Sequence, residues 1–377
     1  MKTAECIVIG GGIAGLSLAA LLARSLRVTV IEGESAPGYH ASGRSVAFAH
    51  FGLGEIIVRT LTVASLQPLG EMTGAGGAPV TAVQAALHIA RADEAEALAD
   101  LAAVHEHFGC DFDWLDGAGA QALVPVLKAG PDKVHAAIVD HKSLKLDTDA
   151  MLQRHLADLR AGGGELVTGA RITAIHRTGD SWRIETAGEQ FEAPLIVNAA
   201  GAWADEIARM AGCTPIGLEP RRRTVIGFDA PQGLDVARWP FVKTVGEGFY
   251  MLPEGSGRLL ASSMDQTPSD PCDAASEELD IAIAADRVMQ ATSLEIRRIA
   301  HSWAGLRSFA PDELPVVGPA KDAPGFHWFA GQGGYGFQTS PALARIGESA
   351  VLGAPLPQDL AALGLDLAMF APARFDA

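Results

Sequence analysis

Glu5-Cys-Ile-Val-Ile-Gly-Gly-Gly-Ile-Ala-Gly-Leu16 begins the most informative stretch of the chain, and Val28-Thr-Val-Ile-Glu32 ends it. Residues 6–9 are a short apolar run of strand type, residues 13–24 have helical composition, and residues 28–31 read as a second strand. Gly10, Gly12 and Gly15 stand between the first strand and the helix as G-x-G-x-x-G. Glu32 ends the second strand, at the spacing of about 20 residues that belongs to this fingerprint. Gly10 permits the tight turn. Gly12, with no Cβ, lets the backbone approach a pyrophosphate, and Gly15 lets the helix pack closely on the strand. The helix start, Ile13 and Ala14, offers free N–H groups and a positive dipole end to phosphates. Glu32 can accept bonds from ribose hydroxyls. A glycine-rich turn without a ligand needs neither the second strand nor the acid, so the stretch reads as a dinucleotide site.

The totals agree. The chain has 377 residues, 48% hydrophobic and 20% charged, enough for a large core and two domains. A formal net charge of −16 leaves no basic excess for a nucleic-acid partner. Cys6, Cys110, Cys213 and Cys272 form no C-x-x-C, which fits free thiols in a reducing compartment and gives no metal site. The apolar run 6–23 imitates a signal peptide, but its three glycines and following strand fit the nucleotide fold better. No other stretch reads as a membrane span, and a cytoplasmic location is expected.

After Glu32 the chain enters a Gly/Ser/Pro-rich loop, 36–45, instead of a prompt helix, as if to wrap the second half of a long cofactor. Residues 48–54 carry Gly52 and Gly54 and are expected to move as a lid. Helices are predicted over 93–107, 147–159, 204–210, 275–296 and 341–351. Strands are predicted over 134–139, 165–168, 171–175, 182–186, 195–198, 221–228, 241–252, 258–262 and 326–330. Nucleotide-binding segments thus alternate with β-rich ones.

Several motifs carry a resemblance to a known family. They are Gly38-Tyr-His-Ala-Ser-Gly-Arg-Ser45, Val197-Asn-Ala-Ala-Gly-Ala-Trp203, Pro220-Arg-Arg-Arg223, Phe249-Tyr250, Trp303-Ala-Gly-Leu-Arg-Ser-Phe309 and Gly331-Gln-Gly-Gly-Tyr-Gly336. Over nearly its whole length the chain resembles the D-amino-acid oxidase superfamily of FAD-dependent oxidoreductases, and within it the D-arginine dehydrogenases. The resemblance implies an α/β fold in which a Rossmann-type FAD-binding domain is interleaved with a β-sheet-rich α+β substrate domain. The FAD-binding domain would take 1–84, 141–220 and 303–377, and the substrate domain 85–140 and 221–302. FAD would be held non-covalently, since the 303–309 segment has no cysteine.

The implied cofactor contacts beyond the fingerprint are Gly43, Arg44 and Ser45, Ile172, and Ala200, Gly201 and Trp203. Gly333, Gly334, Tyr335, Gly336, Gln338 and Thr339 complete them, at the start of a helix whose N-terminus would face the flavin. Gly334 would also touch substrate. The family's carboxylate clamp matches Arg222, Tyr250 and Arg307. A guanidinium fork suits a carboxylate, and a tyrosine hydroxyl adds a bond. Where the D-arginine dehydrogenases hold the substrate guanidinium, this chain has Ala86 and Leu53. Phe48 replaces an active-site histidine, His50 follows two residues on, and Phe241 and Lys243 share a face of their strand. A cationic substrate side chain would lack a counter-ion there.

The expected activity is oxidation of a D-amino acid with a neutral, largely apolar side chain to the imino acid, then the 2-oxo acid and ammonia. His50 is the candidate acceptor of the amine proton. The side chain of Lys243 is expected to carry its ammonium out to solvent. If Lys243 and His50 instead line the pocket as cations, an acidic side chain fits better. A secondary-amine or 2-hydroxy-acid oxidase and a flavin-binding electron-relay subunit are the other readings. Quinone, an electron-transfer protein and oxygen are the candidate electron acceptors.

Overall fold

A computed structural model describes residues 1–255 and 257–375; positions 376 and 377, which end the last expected FAD-binding segment, and 256 lie outside the described residues. The sequence motif that opens the chain builds the centre of a six-stranded sheet. Its spatial order is Glu165–Val167, Val28–Ile31, Cys6–Ile9, Leu195–Asn198, Phe326–Ala330 and Val316–Pro319. Five strands are parallel and Val316–Pro319 runs antiparallel at the edge. Both faces of such a sheet are covered, so Cys6–Ile9 and Val28–Ile31 are unbroken buried runs with no polar alternation. Gly10, at φ 110°, turns the chain where an added Cβ would meet the Ala199 carbonyl oxygen at 2.4 Å. At Gly15 a Cβ would lie 1.9 Å from the Gly10 oxygen, which sets how closely the helix Ile13–Leu22 rides on the strand.

That helix packs against Thr148–Ala161 and Gly336–Leu352 over a core that includes Leu16, Leu18, Leu156 and Ile346. Asp147 caps Thr148–Ala161 by accepting the Ala150 N–H at 2.9 Å. Gly336–Leu352 starts five residues earlier than the sequence suggests and runs through Pro341. Proline has no N–H for the Phe337 carbonyl, and the Ser340 hydroxyl donates to it instead at 3.0 Å. Against this helix lies Ile56–Glu71, which the sequence reading missed. Its β-branched run Ile56, Ile57, Val58, Thr60, Thr62 and Val63 looks like a strand, and Pro68 looks like a stop. Packing overrides both.

A nine-stranded sheet forms the second layer. Its path is Thr267–Pro268, Glu219–Asp229, Arg258–Ser262, Tyr250–Glu254, Phe241–Thr244, Ala86–Ala90, Ala136–Asp140 and Asp113–Asp116, with His301–Phe309 also paired to Glu219–Asp229. The run 241–252 is therefore an antiparallel hairpin and not one strand. The segment boundaries expected at 220/221 and 302/303 fall inside Glu219–Asp229 and His301–Phe309, whose pairing spans both strands. No described helix is long and apolar enough to cross a membrane.

Candidate functional site

One continuous cavity runs from the Gly10–Gly12 turn and Glu32, past the 38–46 loop, to the inner face of the large sheet. At its first end the fingerprint is partly engaged. Glu32 accepts the N–H groups of Gly11 at 2.6 Å and Glu34 at 2.8 Å, one on each oxygen, which fixes its carboxylate at the cavity wall. The Ala170 N–H bonds the Glu32 carbonyl at 2.9 Å and brings Ile172 to the same wall, just before a register break between Ile172 and Ala174. The Ile13 N–H is not free as expected: the buried Ser42 hydroxyl accepts it at 2.9 Å. Gly12 remains an open cradle, where an added Cβ would meet only the Ser42 Oγ within 4 Å.

The middle of the cavity is walled by Arg44, Ser45, Ala200, Gly201 and Trp203. Arg44 also ties the loop down, donating to the Ala274 and Ala304 carbonyls at 2.7 and 3.1 Å and pairing with Asp273. Further in lie Gly333, Gly334, Tyr335, Gly336 and Gln338. The helix that starts at Gly336 has no capping side chain and no acid in its first turn, so its positive end meets the cavity uncompensated. An elongated dinucleotide fits these features. Gly10, Gly12 and Ala14 would face its pyrophosphate, Glu32 its ribose, and the 333–338 turn the far ring.

Five of the expected site residues do not line the cavity. Gly15 is spent on helix packing, and Gly43 closes the 38–43 turn by donating to the Gly38 carbonyl at 2.6 Å. The Thr339 hydroxyl is turned back onto the Tyr335 carbonyl at 2.9 Å. Ala86 pairs with Phe241 and is packed behind Phe48, Phe241 and Tyr250. Arg222 faces away, paired with Glu277 and, at 3.0 Å, with Asp280. Consecutive residues of a strand point to opposite faces, so Arg223 takes the place expected of Arg222. It is buried, and its Nε donates to the Asp265 carbonyl at 2.9 Å.

The innermost end gathers Arg223, Arg307, Tyr250, Lys243, Phe48, Phe241, Leu53 and His50. Arg223 and Arg307 come from paired strands, and Lys243 lies directly across from Tyr250. The Tyr250 hydroxyl is buried and makes no well-formed hydrogen bond among the described residues, though it lies near enough to Arg307 to favour that side chain's charge. Burial lowers the Arg307 pKa, against the pull of Tyr250 and Asp265. Burial, reinforced by Arg307, pushes Arg223 down to about 9. Lys243 does not reach solvent: it is 7% exposed, and its Nζ donates to the Thr244 carbonyl at 2.9 Å. Burial and then the repulsion of Arg223 push it down to about 8. Phe48 stacks on Phe241 at 4.6 Å between ring centroids, and Phe241 on Tyr250 at 5.5 Å.

His50 is ill-suited to the proton-accepting role. Its Nδ1 already accepts the Gly52 N–H at 3.0 Å, which leaves the proton on Nε2. Burial, with Lys243 nearby, pushes its pKa down to about 3. Behind it His88 is fully buried, and neither ring nitrogen has a hydrogen-bond partner among the described residues. The expected lid is anchored in its first half, where Phe48–Ala49 pairs with Leu144–Leu146 and His50 and Phe51 are buried. Besides Arg223, the sequence reading missed Ser42, Met264 and Gln332. Strand alternation within Arg221-Arg222-Arg223 was the available signal for the first. Among the described residues no group of three or more His, Cys, Asp or Glu side chains is placed to hold a metal.

The model of the family described as DAO, FAD dependent oxidoreductase, matches residues 5–347. FAD-dependent oxidoreductase domain-containing protein 1 of Bos taurus is 28% identical over 210 residues, 52% of this chain and 42% of that protein. Hydrogen cyanide synthase subunit HcnC of Pseudomonas aeruginosa is 26% identical over 274 residues, 71% of this chain and 61% of that one. The chain thus spans about half of the length of these curated relatives. The crystal structure of glycine oxidase from Geobacillus kaustophilus superposes with a TM-score of 0.83 at 20% identity, covering 99% of both chains. At that identity the likeness establishes the fold.

Proposed function

The chain belongs to the DAO family of FAD dependent oxidoreductases, and from that premise we propose that it oxidises the Cα–N bond of a D-amino acid. The product is the imino acid, which water converts to the 2-oxo acid and ammonia. The observation that carries this reading is the convergence of Arg223, Arg307 and Tyr250 on one cavity, with no carboxylate in ion-pair range of either arginine among the described residues and Asp265 lying farther off. A substrate carboxylate answers both guanidinium forks and the Tyr250 hydroxyl. The choice of hand rests on the sequence resemblance to D-arginine dehydrogenases.

The chemistry that bound FAD brings is acceptance of a hydride from the substrate Cα. The chain's own contribution is to hold and to exclude. Arg223, Arg307 and Tyr250 fix the carboxylate, and the Phe48–Phe241 stack keeps water from the opposite side. The positive end of the helix Gly336–Leu352 favours negative charge at the cavity's flavin-side wall. With His50 held neutral and its Nδ1 occupied, the substrate amine sheds its proton to solvent before it is enclosed.

The purified protein is expected to be yellow and to release FAD, not FMN, on denaturation. A folded preparation that stays colourless with added FAD would overturn the cofactor assignment for this chain. Anaerobic bleaching of the flavin then tests the substrate, using paired D- and L-amino acids and 2-hydroxy acids. Bleaching by D-amino acids supports the proposal, and bleaching by 2-hydroxy acids alone refutes it.

A further inference from the structure

The carboxylate clamp accounts for two of the three cations in the inner cavity and leaves Lys243 unanswered. The two arginines that precede Arg223 on its strand show how unusual that is. Arg221 is paired with Glu219 and Glu313, and Arg222 with Glu277 and Asp280. The cations that face inward, Arg223, Lys243 and Arg307, have no carboxylate within ion-pair range among the described residues. Backbone carbonyls alone hold the Arg223 Nε and the Lys243 Nζ. Buried charge without a close partner is costly, and here the like charges also oppose one another, with Asp265 beside the arginines and Glu94 on the side of Lys243 offsetting only part of this from beyond ion-pair range. One α-carboxylate offsets a single unit of that charge.

Resting on the amino-acid reading above, we infer that the substrate is a dicarboxylic amino acid whose side-chain carboxylate pairs with Lys243. Lys243 and Tyr250 are cross-strand partners on the same face of the sheet, so their Cβ atoms lie about 5 Å apart. A second carboxylate one short side chain from the first reaches Lys243, which fits the aspartate and glutamate class. The stacked rings of Phe48, Phe241 and Tyr250 wall the same cavity and suit intervening methylenes. The apolar wall expected to select a neutral side chain thus becomes the spacer of a two-ended anion site. Ala86, one of the residues behind that expectation, is not at the cavity surface.

Calorimetric titration of the holoenzyme with two unreactive acids, glutarate and butyrate, separates the possibilities. Butyrate offers only the first carboxylate. Glutarate is expected to bind roughly thirtyfold more tightly or better, the scale set by a desolvated charge pair, and Lys243→Met is expected to bring the two acids within about twofold of each other. Turnover should follow, with kcat/KM for D-glutamate above that for D-leucine in the wild type and the order lost in the variant. Equal binding of the two acids by the wild type overturns the inference while leaving the clamp intact. So does a glutarate preference that survives Lys243→Met. If neither acid binds, the clamp and the parent proposal fail together.

Discussion

Arg307→Met should lower kcat/KM for the amino-acid substrate by roughly a hundredfold or more while FAD stays bound. Breaking a buried ion pair by removing one partner costs about 3–5 kcal/mol, because the other charge is left in place without solvent. In the substrate complex that stranded charge is the carboxylate. The free enzyme behaves in the opposite way. There Arg307 has no carboxylate in ion-pair range among the described residues, lines the cavity half-buried, and repels Arg223, with Asp265 offsetting only part of this, so methionine should not destabilise the fold and its thermal midpoint should hold or rise. Arg222→Met is the control. It removes ion pairs to Glu277 and Asp280 away from the cavity and should leave flavin reduction within about threefold of wild type. Stopped-flow reduction of both variants decides. Wild-type reduction in Arg307→Met would rule out its clamp role, and a large loss confined to Arg222→Met would restore Arg222 to the place first read for it from the sequence. Loss of FAD in Arg307→Met would make the residue structural.

The contrast between Arg222 and Arg223 shows what the sequence could and could not disclose. Residues 5–32 were legible because each backbone requirement there, a turn, a close approach and a buried parallel strand, admits few residue types. Where the chain forms a regular ladder, one residue decides between the two faces, and in a run of three arginines composition is silent on which one turns inward. Lys243 was ambiguous for a related reason. A lysine stem is long enough either to reach water or to stay inside, and only the sheet around it, with Tyr250 on one side and His88 on the other, removes the first option. Ile56–Glu71 was hidden because its β-branched residues give the wrong local signal, which packing on Gly336–Leu352 overrides. Ser42 stands inside the 38–45 motif, yet its role was invisible, since a serine in a loop gives no sign that it will take the helix's first N–H.

Acid should unfold this protein well above the range in which its carboxylates titrate. His50 is pushed down to about 3, and His155 and His327 to about 4, in each case mainly by burial, and His88 lies well below its ordinary value of 6.5 for the same reason. The folded chain therefore leaves these rings neutral between about pH 6.5 and 4, while the unfolded chain protonates them. With more protons on the unfolded state, stability rises with pH across this window and is lost as pH falls through it. A histidine with these values costs about 2 kcal/mol of stability at pH 5, so the three with numbers together cost roughly 6 kcal/mol, comparable with the whole stability of many domains. Urea unfolding of the holoenzyme at pH 8, 6.5 and 5, with FAD in constant excess, should show that loss. His155 lies on Thr148–Ala161, away from the cavity, and its Nε2 has no partner among the described residues. In His155→Gln the loss between pH 8 and pH 5 should shrink by about 2 kcal/mol, whatever the substitution does to stability at pH 8. An unchanged pH dependence in that variant would mean the ring already carries its proton in the folded protein, and the acid sensitivity would then have to come from other groups.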